Sequence, residues 1–399
     1  MEGGKRGGAW NPPSHAQCGD VERITRLDCA RNLSGMAWTV TTDHLERLAI
    51  GAGILGTGGG GNPYLGKLIA RRFLEEGKAI TVVGLGDVPD DALVCTVGGM
   101  GSPTVSFERL LRANEALNAM RALERHLGRA ITHVVPSEIG GSNSTIPMVV
   151  AAQAGIPVID ADGMGRAFPE LQMKTFIMSG ISPTPAAFAN YHGHAMVVEG
   201  VDDGKTLERY ARALAIQMGG RAGYAFPPMT GAQVRAAAIP GTLSLAIRVG
   251  EAVLTARSEH RTPIDAICEA SGGRPLFRGK VGDVQRAMTA GFARGVIALE
   301  GFGDDAGRVV RIDFQNENLI ARADDGSILA VVPDLICIVD SDTGEPLTTE
   351  VIRYGMRATV IGIPAPAQLR THEALRSVGP AAFGYADVPY EPMPGTYGG

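Results

Sequence analysis

The sequence predicts an α/β protein in two parts, an N-terminal domain with a parallel sheet and glycine-rich strand-end loops and then a C-terminal β-rich domain. Three observations carry that prediction. Between residues 79 and 165, short apolar strands alternate with glycine loops and helical stretches. From Leu276 onward, short apolar runs are separated by turns such as Asp325-Gly326 and Thr343-Gly344. The 399 residues are also enough for more than one hydrophobic core.

The elements follow in order. Residues 1–40 read as a disordered leader, since Lys5, Arg6, Asp20, Glu22 and Arg23 are mixed with glycine and proline and no apolar signal-peptide stretch is present. The α/β domain spans 41–200, a helical connecting region 201–275 and the β-rich domain 276–392. In the first domain, Thr42 is a candidate N-cap, with Leu45, Leu48, Ala49 and Ala52 on one face of the helix behind it. The run Gly56–Gly61 leads into Asn62-Pro63, which fits the N-cap and first position of a second helix. Strands are expected at 79–83, 92–97, 133–136 and 156–159, and helices at 105–127 and 145–154. Right-handed crossovers place the loops 98–103, 138–143 and 160–166 at one carboxyl edge of the sheet. Beyond Thr175 the pattern predicts strands at 175–178 and 195–199 and helices at 205–218 and 241–256. Seven strand stretches then fill the C-terminal domain, from around Val281 to 357–363.

Composition narrows the function classes. Lys and Arg total 37 against 42 Asp and Glu, a net charge of −5, which gives a nucleic-acid surface no support. Glycine is abundant, at 54 residues, without the G-X-Y period of collagen. The five cysteines are scattered, so neither a disulfide framework nor a zinc ribbon is written and a reducing cytoplasm is the expected compartment. Charge-free stretches at 139–159 and 175–198 are broken by Pro, Gly, Ser or Asn, so no membrane span is expected.

Polar residues cluster where α/β enzymes keep their chemistry. Asp160, Asp162, Arg166 and Glu170 follow one apolar strand, and Glu138 ends its neighbour, positions suited to a general base or metal ligands. The alternative for the aspartates is capping of helices and turns plus an Arg–Asp ion pair. Gly140, Gly141, Ser142 and Asn143 open a helix, where N–H groups stabilise negative charge or Asn143 simply caps it. Gly58, Gly59, Gly60 and Asn62 offer either close backbone approach to a ligand or a sharp structural turn. No Lys-Ser/Thr follows the glycines and a helix precedes them, so no nucleotide cofactor is expected. Gln315, Asn316 and Glu317 stand in succession on a strand, so some of them face a polar cleft. Cys337, in an apolar strand, reads as a small core residue, with a nucleophile or soft metal ligand as the alternative. His192 and His194 fit a surface loop better than a metal site.

Four motifs carry a resemblance: Ile54–Gly66, Asp160–Glu170, Asp313–Asn318 and Gly379–Tyr385. Together they resemble the DUF917 family of S-methyl-thiohydantoin desulfurase-like proteins over residues 41–392. Only the long leader and His192/His194 depart from the pattern. The resemblance implies an enzyme of hydantoin breakdown, one branch being similar to the desulfhydrase of ergothioneine degradation. The implied reaction is hydrolytic desulfuration of a small five-membered thiohydantoin ring, C=S to C=O with release of hydrosulfide or a thiol. On that reading Asp162 or Asp160 is the base, with Glu170 and Glu138 as its partner or as metal ligands. The Gly140–Asn143 amides face sulfur, and Arg166 holds a substrate carboxylate or ring oxygen. A zinc-like divalent metal held by Asp160, Asp162 or Cys337 is the variant. A ring-opening hydrolase of a hydantoin-like cyclic amide, or a non-catalytic subunit of a hydantoinase assembly, remain as alternatives, with a homo-oligomer or a hydantoinase as partner.

Overall fold

The computed structural model describes residues 37–101, 105, 113–289 and 291–399. The expected leader up to residue 36 and residues 106–112 of the helix expected at 105–127 therefore lie outside the described residues. In chain order the N-terminal strands are β1 (Trp38–Thr39), β2 (Thr81–Val83), β3 (Leu93–Gly101), β4 (His133–Pro136) and β5 (Val158–Ile159). They are followed by β6 (Ala161–Asp162), β7 (Ala186–Ala189), β8 (Ala195–Val198), β9 (Arg221–Thr230) and β10 (Ile239–Pro240). The helices among them are α1 (Thr42–Leu55), α2 (Pro63–Glu75), α3 (Glu115–Leu127), α4 (Ile146–Ala154) and α5 (Thr175–Met178). Then come α6 (Gly204–Gln217), α7 (Gly231–Ala237), α8 (Thr242–Ser258) and α9 (Pro263–Ser271).

One mixed sheet runs β1-β2-β5-β4-β3-β9-β7-β8. Its β2, β5, β4 and β3 are parallel, as the strand–loop–helix repeats predict. Four details differ from the sequence reading. Trp38 and Thr39 pair with Val82 and Thr81, so the chain is already a strand before residue 41. Residues 98–101 are not a loop, because β9 pairs beside β3 as far as Gly101↔Arg221. Segment 175–178 is a helical turn, α5; an apolar run so short carries no period to separate strand from helix. The expected helical connector 201–275 also contributes β9, the strand between β3 and β7. Pro227 and Pro228 disguise that strand, and they sit where the β3–β9 register shifts, the place in a sheet that tolerates proline.

Helices α1 and α8 lie backbone against backbone. A Cβ on Gly51 would stand 1.8 Å from the Ala246 carbonyl oxygen, and one on Gly250 would stand 1.9 Å from that of Arg47. Around this crossing, Leu45, Leu48, Ile54, Leu243, Ile247 and Val253 are buried. A side chain of this size contributes about 1.5–3 kcal/mol when fully buried.

The C-terminal strands are β11 (Arg274–Thr289), β12 (Phe292–Gly301), β13 (Val309–Gln315), β14 (Glu317–Ala323), β15 (Ile328–Val331), β16 (Leu335–Asp340) and β17 (Arg357–Ile363). They form one antiparallel sheet ordered β15-β14-β13-β12-β11-β17-β16, followed by α10 (His372–Val378). One face builds a local core of Phe277, Val281, Ile312 and Val360. The alternate side chains of β16 and β17, including Leu335, Cys337, Val339 and Ile361, join the N-terminal core. The two domains thus share a hydrophobic seam, and the glycine loop after α1 lies on its polar continuation. Thr57 and Gly58 accept backbone hydrogen bonds from Asn318 and Thr349, each 2.7 Å long.

Candidate functional site

A cavity of about 520 Å³ opens where the two domains meet. Its walls come from the glycine loop, the ends of β3 and β4, the start of α3 and the β13–β14 turn. Of the residues expected to act there, Glu138, Glu170, Gly60, Asn62, Ser142, Asn143, Asn316 and Glu317 line it. They are contributed by both domains.

Glu138 lies two residues beyond the end of β4 and is buried. Its Oε1 accepts from Asn143 Nδ2 at 2.6 Å and its Oε2 from the Phe168 N–H at 3.2 Å. Asn143 is held in turn by Gly99, whose N–H donates to Oδ1 at 2.8 Å. Burial pushes the Glu138 carboxyl up to about 7, and those two hydrogen bonds pull it back part of the way. Behind it lies Lys174, which the sequence reading missed. This lysine is fully buried, with Nζ 3.1 Å from Thr96 Oγ1 and 3.7 Å from the centroid of the Phe226 ring. Desolvation brings its ammonium down to about 7, against the pull of Glu138.

Glu317 reaches the same cavity from the other domain. Asn316 turns the chain at φ +57, a conformation asparagine tolerates, and Glu317 follows at the start of β14. Its Oε1 accepts from the Gly60 N–H at 3.2 Å, while its Oε2 is buried without a partner. Desolvation first, and the charge of Glu138 second, raise this carboxyl well above the usual range. Each charge thus opposes the ionisation of the other acid.

The glycines are required mainly by the packing of this wall. Gly60 has φ +75, and a Cβ on it would stand 2.6 Å from the Gly140 carbonyl oxygen. A Cβ on Gly141 would lie 2.2 Å from the Gly60 oxygen, and one on Gly59 would lie 2.1 Å from Glu317 Oε1. A Cβ on Gly58 would meet Asn318 Nδ2 at 2.9 Å. Gly58, Gly59, Gly140 and Gly141 therefore press loop on loop behind the cavity rather than line it. The Ser142 N–H and Oγ both bond the Gly60 carbonyl, at 2.8 and 3.0 Å, so that amide is not open to substrate. Asn62 Oδ1 caps α2 by accepting from Tyr64 N–H.

The other expected catalytic residues are placed elsewhere. Asp160 points at the start of α8, whose N-cap is Gly241, and supplies the cap that glycine lacks. Its Oδ1 accepts from Leu243 N–H at 2.9 Å and Ser244 N–H at 3.1 Å, and its Oδ2 accepts from Ser244 Oγ. Asp162 Oδ2 accepts from the N–H groups of Ile139, Met164 and Gly165 at 2.7, 3.1 and 2.8 Å. Its Oδ1 is buried without a hydrogen-bond partner, and burial raises the carboxyl to about 7. Neither aspartate lines the cavity.

Arg166 is not available to a substrate carboxylate. It is fully buried, and its N–H groups bond the carbonyls of Ala167, Pro333, Asp334 and Asn318 and the Thr57 hydroxyl, at 2.8–3.3 Å. Those acceptors belong to both domains, so the guanidinium clamps the seam. Desolvation lowers it to about 10. Gln315 lines a separate, smaller pocket with Asp313 and Tyr385.

A zinc-like ion finds no ligand set in its expected holders. Asp160 and Asp162 are committed to backbone N–H groups, and Cys337 is sealed in the core with its thiol pushed up to about 12. Among the described residues no three His, Cys, Asp or Glu side chains gather in a metal-binding group. His192 and His194 are exposed at the β7–β8 turn, which is folded around Asn190 Oδ1. Among the described residues, no helix is long and apolar enough to cross a membrane.

Family models decide the relationship. The model of the S-Me-THD-like N-terminal domain matches residues 43–200, and that of the C-terminal domain matches residues 202–393. The chain belongs to the S-Me-THD-like family. This is the S-methyl-thiohydantoin desulfurase-like family that the four motifs resemble. An X-ray crystal structure of a protein from Chromobacterium violaceum is similar to this S-Me-THD-like chain, with TM-score 0.73 and 26% identity over 89% of this chain and 99% of that one. No curated protein matches the chain.

Sequence reasoning missed Glu115, Lys174, Tyr224 and Glu350, of which all but Lys174 line the cavity. Glu115 lies within a continuous helical pattern, and Tyr224 lies in the strand that its two prolines disguise. Nothing in either stretch signals a cavity wall.

Proposed function

We propose that the protein hydrolyses the C=S group of a thiohydantoin-type five-membered ring to C=O, with Glu138 and Glu317 as the acid–base pair. The observation that carries this reading is the meeting of two buried glutamates, one from each domain, in the interdomain cavity of an S-Me-THD-like protein. Both Glu138 oxygens accept hydrogen bonds, which stabilises the carboxylate and fits a base. Burial and the charge of Glu138 both favour the protonated form of the Glu317 carboxyl, which fits an acid.

The proton balance closes on these two groups. Glu138 takes a proton from water as the oxygen adds to the C=S carbon, and Glu317 gives its proton to the sulfur that gains the electron pair. The Glu317 carboxylate then removes the hydroxyl proton of the tetrahedral intermediate. The C=O forms, the C–S bond breaks, and the departing hydrosulfide takes the proton held by Glu138. Hydantoin and hydrogen sulfide leave; an S-methyl substrate releases methanethiol instead. Asp160, Asp162 and Arg166 take no part in these steps and serve as scaffold.

The test is product analysis. Incubation with a thiohydantoin is expected to release one sulfide per hydantoin formed, and Glu138→Gln is expected to stop it. An N-carbamoyl-type acid that retains its sulfur would replace this reading with ring opening. No turnover by the isolated chain, with activity only alongside a co-purifying hydantoinase, would replace it with a subunit role.

A further inference from the structure

The cavity wall carries a hydroxyl that the proposed chemistry leaves unused. Tyr224, on β9, lines the cavity and is 1% exposed. It pairs with Gly98 of β3, and its phenol lies across that glycine: a Cβ on Gly98 would stand 2.4 Å from the Tyr224 hydroxyl oxygen and 2.8 Å from Asn143 Oδ1. Gly98 is therefore what lets the phenol reach the wall beside the amide that holds Glu138. The ring is fixed by its neighbours, with Lys174 Nζ 4.8 Å from its centroid and Phe226 edge-on at 5.3 Å.

The contacts run in series from the seam. Glu317 accepts from the Gly60 N–H, and the Gly60 carbonyl accepts from Ser142. Asn143 follows, donating to Glu138 through Nδ2 and accepting from the Gly99 N–H at Oδ1, and Gly98 with the phenol across it comes next. Glu317 and Tyr224 stand at opposite ends of this series, with Glu138 and Asn143 between them.

A phenol in this place is a hydrogen-bond donor. Burial first, and the charge of Glu138 second, keep it protonated; the Ser137 hydroxyl and the Arg221 charge each pull the other way by less. Arg221 is the rival donor on this stretch, since a Cβ on Gly99 would stand 2.7 Å from its Nη2. Successive residues of a strand face opposite sides, so Arg221, over Gly99, lies on the face of β3 away from the phenol over Gly98. A thiohydantoin ring brings a suitable acceptor: besides its C=S it has one carbonyl, whose oxygen loses its water on entering the cavity and needs a donor there.

We propose that the Tyr224 hydroxyl donates to the ring carbonyl that the reaction leaves unchanged, and thereby sets the C=S carbon between Glu138 and Glu317. The inference rests on the proposed ring chemistry for the identity of the acceptor.

Calorimetric titration of the full-length protein tests it with two rings, hydantoin and 2-imidazolidinone, which has a methylene in place of the second carbonyl. Hydantoin is expected to bind the wild type about tenfold more tightly, and Tyr224→Phe is expected to abolish that advantage while leaving 2-imidazolidinone binding unchanged. Equal binding of the two rings by the wild type would overturn the inference without any variant. So would a hydantoin preference that survives in Tyr224→Phe, and its loss in Arg221→Gln instead would give the carbonyl to the arginine. If neither ring binds the wild type, the inference falls, and sulfide release from a thiohydantoin decides separately whether the ring chemistry stands. If hydantoin binds through Tyr224 but thiohydantoin releases no sulfide, the carbonyl subsite stands and the desulfuration falls.

Discussion

Two groups of buried charge lie close together and behave differently. In the strand-end segment, Asp160, Asp162 and Arg166 are 4%, 0% and 0% exposed; in the cavity wall, Glu138 and Glu317 are 6% and 2% exposed. Burial therefore does not distinguish them. The difference lies in what surrounds them. Asp160, Asp162 and Arg166 meet backbone groups of α8, the 138–139 turn and the C-terminal domain, and do not line the cavity. The glutamates border open volume, and Glu317 keeps an oxygen that the protein does not use. Asp162 also keeps an unpaired oxygen, so the open volume and not the unfilled valence separates the groups: a buried charge enclosed by the fold acts as scaffold, and one at a cavity wall is available for chemistry.

The strongest way to break this comparison is to change one member of each group. Glu138→Gln is expected to lower kcat/KM for thiohydantoin by about 10²–10⁴-fold while the protein stays folded. Turnover within tenfold of wild type would show that the base lies elsewhere. Arg166→Met is expected to do the converse, costing about 3–5 kcal/mol of stability in denaturant unfolding because the seam loses its clamp. A stability loss under 1 kcal/mol would show that the guanidinium is dispensable to the seam.

Smaller changes sharpen the comparison. Asp160→Ala is expected to cost about 1–2 kcal/mol by uncapping α8, with turnover per folded molecule unchanged. Asn143→Ala removes a donor to the Glu138 carboxylate, so the acidic limb of the pH profile, expected near 7 in the wild type, should move to higher pH. A limb moving to lower pH would contradict the role given to Asn143.

Stability should follow the same logic. The Glu138 carboxyl is raised from 4.5 to about 7, so through that window the folded protein keeps a proton that the unfolded chain has lost. Stability due to this group therefore falls as pH rises from 4.5 to 7. Glu138→Gln removes the fall, and unfolding of the variant compared with wild type at pH 5 and pH 8 checks it.

The parallel strands were legible because the information is local: apolar runs, glycine punctuation and helix caps lie within a few residues of the elements they define. Asn62-Pro63 shows this directly, capping and opening α2 as expected. The site was legible only as a neighbourhood. Glu138, Asn143, Gly60 and Glu317 do converge, but Asp160, Asp162 and Arg166 carry the same sequence signal. Their partners are distant in sequence: Leu243 and Ser244 for Asp160, Pro333 and Asp334 for Arg166. No local pattern reports which N–H groups will fill a carboxylate. β9 was illegible for a similar reason, since its place in the sheet depends on β3 accommodating two prolines at a register shift.

That strand has a consequence for the modularity of the chain. The family models divide at residues 200 and 202, yet β9, from the second part, hydrogen-bonds β3 and β7 of the first. A fragment ending at the boundary would carry two raw strand edges in the middle of its sheet, the kind of surface that recruits other chains. The two halves thus share one sheet although separate family models match them. Expressed apart they should aggregate, and expressed together they should find each other, with β9 as the splice.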